Sequence, residues 1–162
     1  VAQDFGMRVL LNDLPREEKE GNITFTSLEK IAEECDIITF HVPLYKEGKY
    51  KTFHLADELF FRSLKRSPII INTSRGELVD SKALIAALES RSIAGAGLDT
   101  IDGEPVKSDN PLLQTSEEAG RKLLFSCHIG GITRASFSRG YAMILEAIEK
   151  VSRGEIPDNI VG

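Results

Sequence analysis

The sequence predicts an α/β fold built on a doubly wound parallel sheet. Three observations carry that reading. Short runs rich in β-branched residues alternate with stretches of helical period along the chain. The run Ile69-Ile70-Ile71 is apolar on both faces, as suits a strand covered by helices on each side. Turn and cap residues separate the runs at nearly every boundary.

Met7 to Asn12 reads as the first strand, after Phe5-Gly6, where the glycine suits a C-cap. Thr26 and Ser27 offer N-caps for a helix running to about Glu34, with Glu29 completing a capping box. Asp36 to His41 is the next strand, stopped by Pro43. A polar loop follows from Tyr45 to Lys51, then a short helix around Asp57–Leu64. Pro68 introduces the strand Ile69–Asn72. Asp80 or Ser81 caps a helix over Lys82–Ser90, with Leu84, Ile85 and Leu88 on its apolar face. Ile93–Asp99 is a strand whose Gly95 and Gly97 suggest a close backbone neighbour. Leu123–Ser126 is a last strand, and Thr133 opens a long helix to about Ser152. No internal repeat or low-complexity segment interrupts this order.

Composition narrows the function classes. The chain has 162 residues, 41% hydrophobic and 28% charged, enough to bury the core of one domain. Its net charge of −5 argues against a nucleic-acid partner, which calls for a basic face. No stretch is long and apolar enough for a membrane span, so a cytoplasmic location is expected. Cys35 and Cys127 stand far apart and outside any CxxC pair, which supports neither a disulfide framework nor a metal site.

In open parallel sheets, ligands bind beyond the carboxyl ends of the strands. The residues that follow each strand are therefore the informative ones. They are Asp13; His41 to Pro43; Asn72 to Gly76; Asp99 and Glu104; and Ser126 to Gly131. A carboxylate at Asp13 suits the two hydroxyls of a ribose and repels a 2′-phosphate, or it is a solvated turn residue. The Arg75 guanidinium can grip a carboxylate bidentately, or form a structural ion pair. His128 can take and return a proton near neutral pH, and Glu104 can orient it and raise its basicity. Each also has a plain structural reading, as a satisfied histidine and a surface glutamate. His54 is assigned no role. A Cys127–His128 nucleophile pair is disfavoured, because adjacent strand residues point to opposite faces. Gly95-Ala96-Gly97 lacks the third glycine and the following helix of a phosphate cradle.

The ordered set DFGMRVLLND, HVPL, INTSRGELVD, GAGLDTIDGEP and HIGGIT resembles the NAD-dependent D-2-hydroxyacid dehydrogenase family. The resemblance runs from Val1 to the closing GEIPDNIVG. It implies Arg75 as the substrate-carboxylate binder, Glu104 as the histidine's partner and His128 as general acid and base. It implies an NAD site formed by Asp13, His41, Val42, Pro43, Thr73, Ser74, Arg75, Asp99, His128, Ile129, Gly130 and Gly131. Asp99 is the carboxylate beside the nicotinamide in that scheme. A small 2-hydroxy or 2-keto acid is the implied substrate and a homodimer the implied assembly; no metal is implied.

Three departures from the family pattern stand out. Cys127 occupies the position before the histidine where the family usually has proline. The stretch PLYKEGKYKTFHLADE is similar to that of erythronate-4-phosphate dehydrogenases, whereas HIGG is closer to phosphoglycerate or hydroxypyruvate members, so the acid stays open. The glycine-rich fingerprint, its preceding strand and the substrate domain have no counterpart. The expected fold is thus a partial doubly wound (Rossmann-type) sheet lacking its first strand and Gly-rich turn. Residues 1–162 are expected to form a single partial NAD-binding domain, incompetent in catalysis alone. A non-catalytic NAD-binding regulatory module and an inert truncated chain remain as alternatives.

Overall fold

A computed structural model describes residues 1–21 and 24–157. The end of the family-like closing segment, residues 158–162, lies outside them. The chain divides into two compact units, Val1–Cys127 and His128–Gly162.

The first unit carries four parallel strands in the order β1-β2-β3-β4: Ile37–Phe40, Ile69–Asn72, Gly95–Leu98 and Leu123–Phe125. Register aligns Ile38 with Ile70 and Ala96, and Phe40 with Asn72 and Leu98. A strand's side chains alternate between faces, so these six point one way, and all six are buried. The sheet is one wing of a doubly wound architecture, with spatial order following chain order throughout.

Helices cover that buried face. They are α2 (Leu28–Glu34), α3 (Glu58–Ser63), α4 (Ser81–Glu89) and the short α5 (Glu117–Gly120). The core joins Ile31 of α2, Phe60 and Phe61 of α3, and Leu84 and Leu88 of α4 to the strands. The opposite face is open, with Ile37 and Ile69 each more than 40% exposed. The expectation of cover on both faces of the Ile69–Ile71 run therefore holds for one face only.

Caps set the helix starts where the sequence places them. Asp57 Oδ1 accepts the Phe60 N–H at 2.9 Å, and Asp80 Oδ1 accepts those of Lys82 and Ala83 at 2.9 and 3.1 Å. Such caps contribute about 1 kcal/mol each. Ser27 caps α2 through the Lys30 N–H, so the third helical position is Lys30 and the Thr26–Glu29 box does not form. The Glu29 carboxylate instead takes its own backbone N–H and the Ser27 hydroxyl, which hold it below the usual range.

The beginning of the chain differs from expectation. Met7–Asn12 is not assigned as a strand: among the described residues its ladder pairing is one parallel bridge from Leu11 to Phe25, beside the Asn12 amide's bond to the Thr26 carbonyl at 2.8 Å. Met7 and Leu11 are about half exposed, at 50% and 48%. A lone extended segment gains little from its own propensity and needs neighbours to pair with. An unanticipated helix, α1 (Leu14–Glu20), follows at once, capped by Asp13.

The second unit is dominated by α6 (Arg134–Ser152). Thr133 caps it through a reciprocal box with Ser136: Thr133 Oγ1 accepts the Ser136 N–H, and Ser136 Oγ accepts the Thr133 N–H, both at 3.0 Å. No α6 residue is buried. Phe137, Tyr141, Ile144, Ile148 and Val151 form a stripe at spacings of four and three residues. Each is more than half exposed.

Candidate functional site

The exit of β2 is held from within. Asn72 ends the strand on the buried face, where an apolar residue would continue the pattern, and is fully buried. Its amide Nδ2 donates to the Arg75 carbonyl at 2.8 Å and its Oδ1 accepts the Ser74 N–H at 3.1 Å. Its own carbonyl accepts the Asp99 N–H at 2.9 Å. One side chain thus fixes the turn Thr73–Arg75 and presents Arg75 outward, where its guanidinium donates to the Ser74 carbonyl at 2.8 Å.

Gly76 brings a second loop against this one. A Cβ at Gly76 would lie 2.0 Å from the Ile101 carbonyl carbon, so only glycine permits this approach. Ile101 in turn donates its N–H to Glu104 Oε1 at 2.9 Å. The loop after β3 is braced further on, where the Asn110 amide donates to the Asp102 carbonyl at 2.9 Å. The loops that carry Arg75 and Glu104 are therefore packed backbone against backbone at one sheet edge.

The exit of β1 is stitched to the same edge. The Ser74 hydroxyl donates to the Val42 carbonyl. The His41 ring lies between Thr39 Oγ1, 2.9 Å from Nε2, and Thr73 Oγ1, 3.4 Å from Nδ1. Pro43 is exposed and its carbonyl accepts the Thr52 hydroxyl at 2.6 Å. Asp99, just past β3, is buried and accepts the Ser126 hydroxyl. Beside it, Thr100 Oγ1 is buried without a hydrogen-bond partner among the described residues.

Asp13 is placed differently. Its Oδ1 accepts the Arg16 N–H at 3.1 Å as the cap of α1. A carboxylate offers about four lone-pair sites, so capping does not use up its acceptor capacity.

His128, Ile129, Gly130 and Gly131 belong to the second unit. His128 has φ +54°, in the left-handed region that a non-glycine residue seldom occupies. Such strain gathers at functional positions. The next turn is closed by the Ile132 N–H on the Ile129 carbonyl at 2.9 Å, and the turn leads into the Thr133 cap. Arg75 and Glu104 share the first unit, and His128 opens the second.

His54 turns out to be engaged. Its Nδ1 lies 3.5 Å from Asp80 Oδ2, and its ring stacks on Phe53 with centroids 3.9 Å apart. Among the described residues there is no cluster of three metal-ligating side chains, and no helix is long and apolar enough to cross a membrane. An open groove lined by Arg8, Glu33, Glu34, Lys65 and Arg66 lies by the amino end of β1. Its charges compensate one another: the Arg8 guanidinium meets Glu34 and holds that carboxyl below its usual range.

Sequence reasoning placed Asn72 and Gly76 among the residues after the strands but gave them no role, whereas they shape this edge. The signal for Asn72 was a polar residue at a buried strand position. The signal for Gly76 was a glycine directly after the arginine.

The residue set suits the nicotinamide half of a dinucleotide. A buried carboxylate, an unpartnered buried hydroxyl, a threonine and an exposed guanidinium line one edge. The sequence contains no GxGxxG turn to donate N–H groups to a pyrophosphate. Residues 1–130 match the model of the D-isomer specific 2-hydroxyacid dehydrogenase NAD-binding domain. The chain belongs to this family.

Relatives agree in both sequence and structure. An erythronate-4-phosphate dehydrogenase from Bacteroides thetaiotaomicron is 59% identical over 148 residues, which cover 91% of this chain and 40% of that protein. A glyoxylate reductase from Korarchaeum cryptofilum is 40% identical over 99% of this chain and 46% of its own length. The crystal structure of a D-lactate dehydrogenase with NAD+ from Lactobacillus jensenii superposes with a TM-score of 0.76 and 30% identity. It is covered over 50% of its length by 99% of this chain. The chain thus spans less than half the length of these curated 2-hydroxyacid dehydrogenases and represents a portion of their NAD-binding domain.

Proposed function

We propose that this chain is the part of a D-2-hydroxyacid dehydrogenase that grips the substrate carboxylate, moves its hydroxyl proton and lines the nicotinamide end of NAD. The observation that carries this is the locked pair of loops, in which Gly76 seated on Ile101 sets Arg75 and Glu104 at one sheet edge.

Thr73, Ser74, Asp99 and the segment His128–Gly131 would hold the nicotinamide end of the cofactor, and Asp13 with His41–Pro43 the adenosine end. NAD, when bound, supplies the hydride acceptor for the C2–H bond of the acid. Arg75 holds the substrate carboxylate bidentately and draws charge from C2. His128 accepts the hydroxyl proton as the C2–O bond becomes a carbonyl, and returns it in the reverse direction. In this reading Glu104 would serve as the carboxylate partner of His128. Asp13 favours NAD over NADP by repelling a 2′-phosphate.

The substrate we favour is erythronate 4-phosphate, after the relatives that are 59% and 48% identical. Glyoxylate is the second reading, after the glyoxylate reductase that matches 99% of the chain. A homodimer is the expected assembly of a protein containing this part.

The test is an exchange. This chain replaces the matching 148 residues of the B. thetaiotaomicron enzyme, and NADH formation is followed with erythronate 4-phosphate, and NADH oxidation with glyoxylate. The expected result is turnover with the phosphorylated acid. Arg75→Ala should then raise KM about a hundredfold, since a charged partner is left unpaired. His128→Ala should lower kcat about a hundredfold or more while NADH still binds. Unchanged turnover in His128→Ala would sink the catalytic assignment and favour a regulatory NAD-binding module.

A further inference from the structure

The loop after Pro43 is closed at its neck and latched at its tip. At the neck, the Thr52 hydroxyl donates to the Pro43 carbonyl at 2.6 Å and accepts the Tyr45 N–H at 2.7 Å. The Tyr45 carbonyl accepts the N–H groups of Thr52 and Phe53 at 2.9 and 3.0 Å. Within the loop, Gly48 takes φ +87° and its carbonyl accepts the Lys51 N–H at 3.2 Å. A compact loop with adjoining ends, closed on itself in this way, is of a kind that often carries function.

At the tip, Lys49 Nζ and the Tyr50 hydroxyl converge on one oxygen, Glu18 Oε2, at 2.7 and 2.6 Å. Glu18 lies on α1, five residues after Asp13. The loop therefore bridges from the exit of β1 at His41–Pro43 to the helix that Asp13 opens. We propose that residues 45–52 are a strap that closes over the adenosine end of a bound dinucleotide and is held shut by Glu18 through Lys49 and Tyr50.

This inference rests on the cofactor reading above and adds to it a device outside the residues assigned to the site. The tip is solvent-exposed: Glu18 and Lys49 side chains are 46% and 68% exposed. Exposed ion pairs are weak, so the latch opens at small cost, as entry and release of a ligand require. The neck, by contrast, is bonded through backbone and the Thr52 hydroxyl and keeps the strap in register when the tip opens.

The experiment titrates the 162-residue chain with NADH and with reduced nicotinamide mononucleotide, which lacks the adenosine. It compares the wild-type chain with Glu18→Ala and Tyr50→Phe. The expected result is NADH dissociation faster by about three- to tenfold in Glu18→Ala, a smaller increase in Tyr50→Phe, and no change for the mononucleotide. NADH should also slow tryptic cleavage after Lys46 and Lys51 in the wild-type chain and less so in Glu18→Ala. If wild type binds NADH and the variants release it at the same rate, the strap is overturned while the cofactor reading stands. Equal weakening for both ligands would also overturn it, because the effect would not be specific to adenosine. Absence of saturable NADH binding by the folded wild-type chain would overturn the cofactor reading itself, and the strap with it.

Discussion

Ile69–Asn72 is paired on both edges, to Ile37–Phe40 and to Gly95–Leu98, and its Ile70 is fully buried. Met7–Asn12 has a comparable apolar content but, among the described residues, makes one bridge, to Phe25, and leaves Met7 and Leu11 half exposed. The difference lies in neighbours rather than in residue type, since a strand is stabilised by what pairs and packs with it. It has a functional counterpart. The loop after the doubly paired strand is clamped by Asn72 and wedged by Gly76, so the loop that carries Arg75, the proposed carboxylate binder, is held in place. The Asp13 side rests on a helix cap and an exposed latch.

The largest effect expected from this contrast is at Gly76. Gly76→Ala places a Cβ inside the Ile101 backbone and should cost about 4 kcal/mol, or block folding, in urea denaturation. Gly97→Ala meets nothing within 4 Å and should change stability by under about 1 kcal/mol. Equal effects would break the account of the wedged loops.

Next in size is a paired truncation. Ile70→Ala removes a fully buried side chain and should cost about 3 kcal/mol. Leu11→Ala, at a half-exposed position, should cost under about 1 kcal/mol. A large loss from Leu11→Ala in the same denaturation series would mean that the first segment is packed after all.

The smallest effect concerns thiol reactivity. Cys35 is partly buried, and desolvation raises its thiol above the ordinary value, leaving less thiolate at pH 8. Cys127 is exposed. Iodoacetamide should therefore alkylate Cys127 at least about threefold faster than Cys35, read by mass spectrometry of the two peptides. Faster labelling at Cys35 would show that the α2–β1 junction opens readily.

Much of this architecture could be read before the structure. The four strands β1 to β4 and helices α2, α3, α4 and α6 fall where periodicity and caps place them, to within a few residues. Arg75, Asp99, Glu104 and the His41–Pro43 segment lie in the loops that follow β1 to β3, where the rule for open sheets looks for a site. Helix α1 escaped because LPREEKE has no apolar period. What marks it is the Asp13 cap, a proline in the first turn and the Arg16–Glu20 ion pair at 2.9 Å. The Glu20 carboxyl sits below its usual range for the same reason, the Arg16 hydrogen bond. The failure at Met7–Asn12 has another origin: local sequence reports propensity, and pairing depends on partners elsewhere. Asn72 and Gly76 were located at the strand exit, but their role was not legible because it lies in loop geometry, a side chain bonded to its own turn and a backbone approach to Ile101.

The central claim is that the loops at the carboxyl edge of β1 to β3 form the dinucleotide site. Chemical-shift mapping of the 15N-labelled chain during an NADH titration, with NADPH as control, tests it most directly. The account predicts saturable shifts at Asp13, Val42, Thr73 to Arg75, Asp99 and Thr100, with little change in α3 and α4 and a weaker response to NADPH. Shifts confined to the opposite end of the sheet, around Arg8, Glu34 and Arg66, or no shifts in a folded chain, would contradict it.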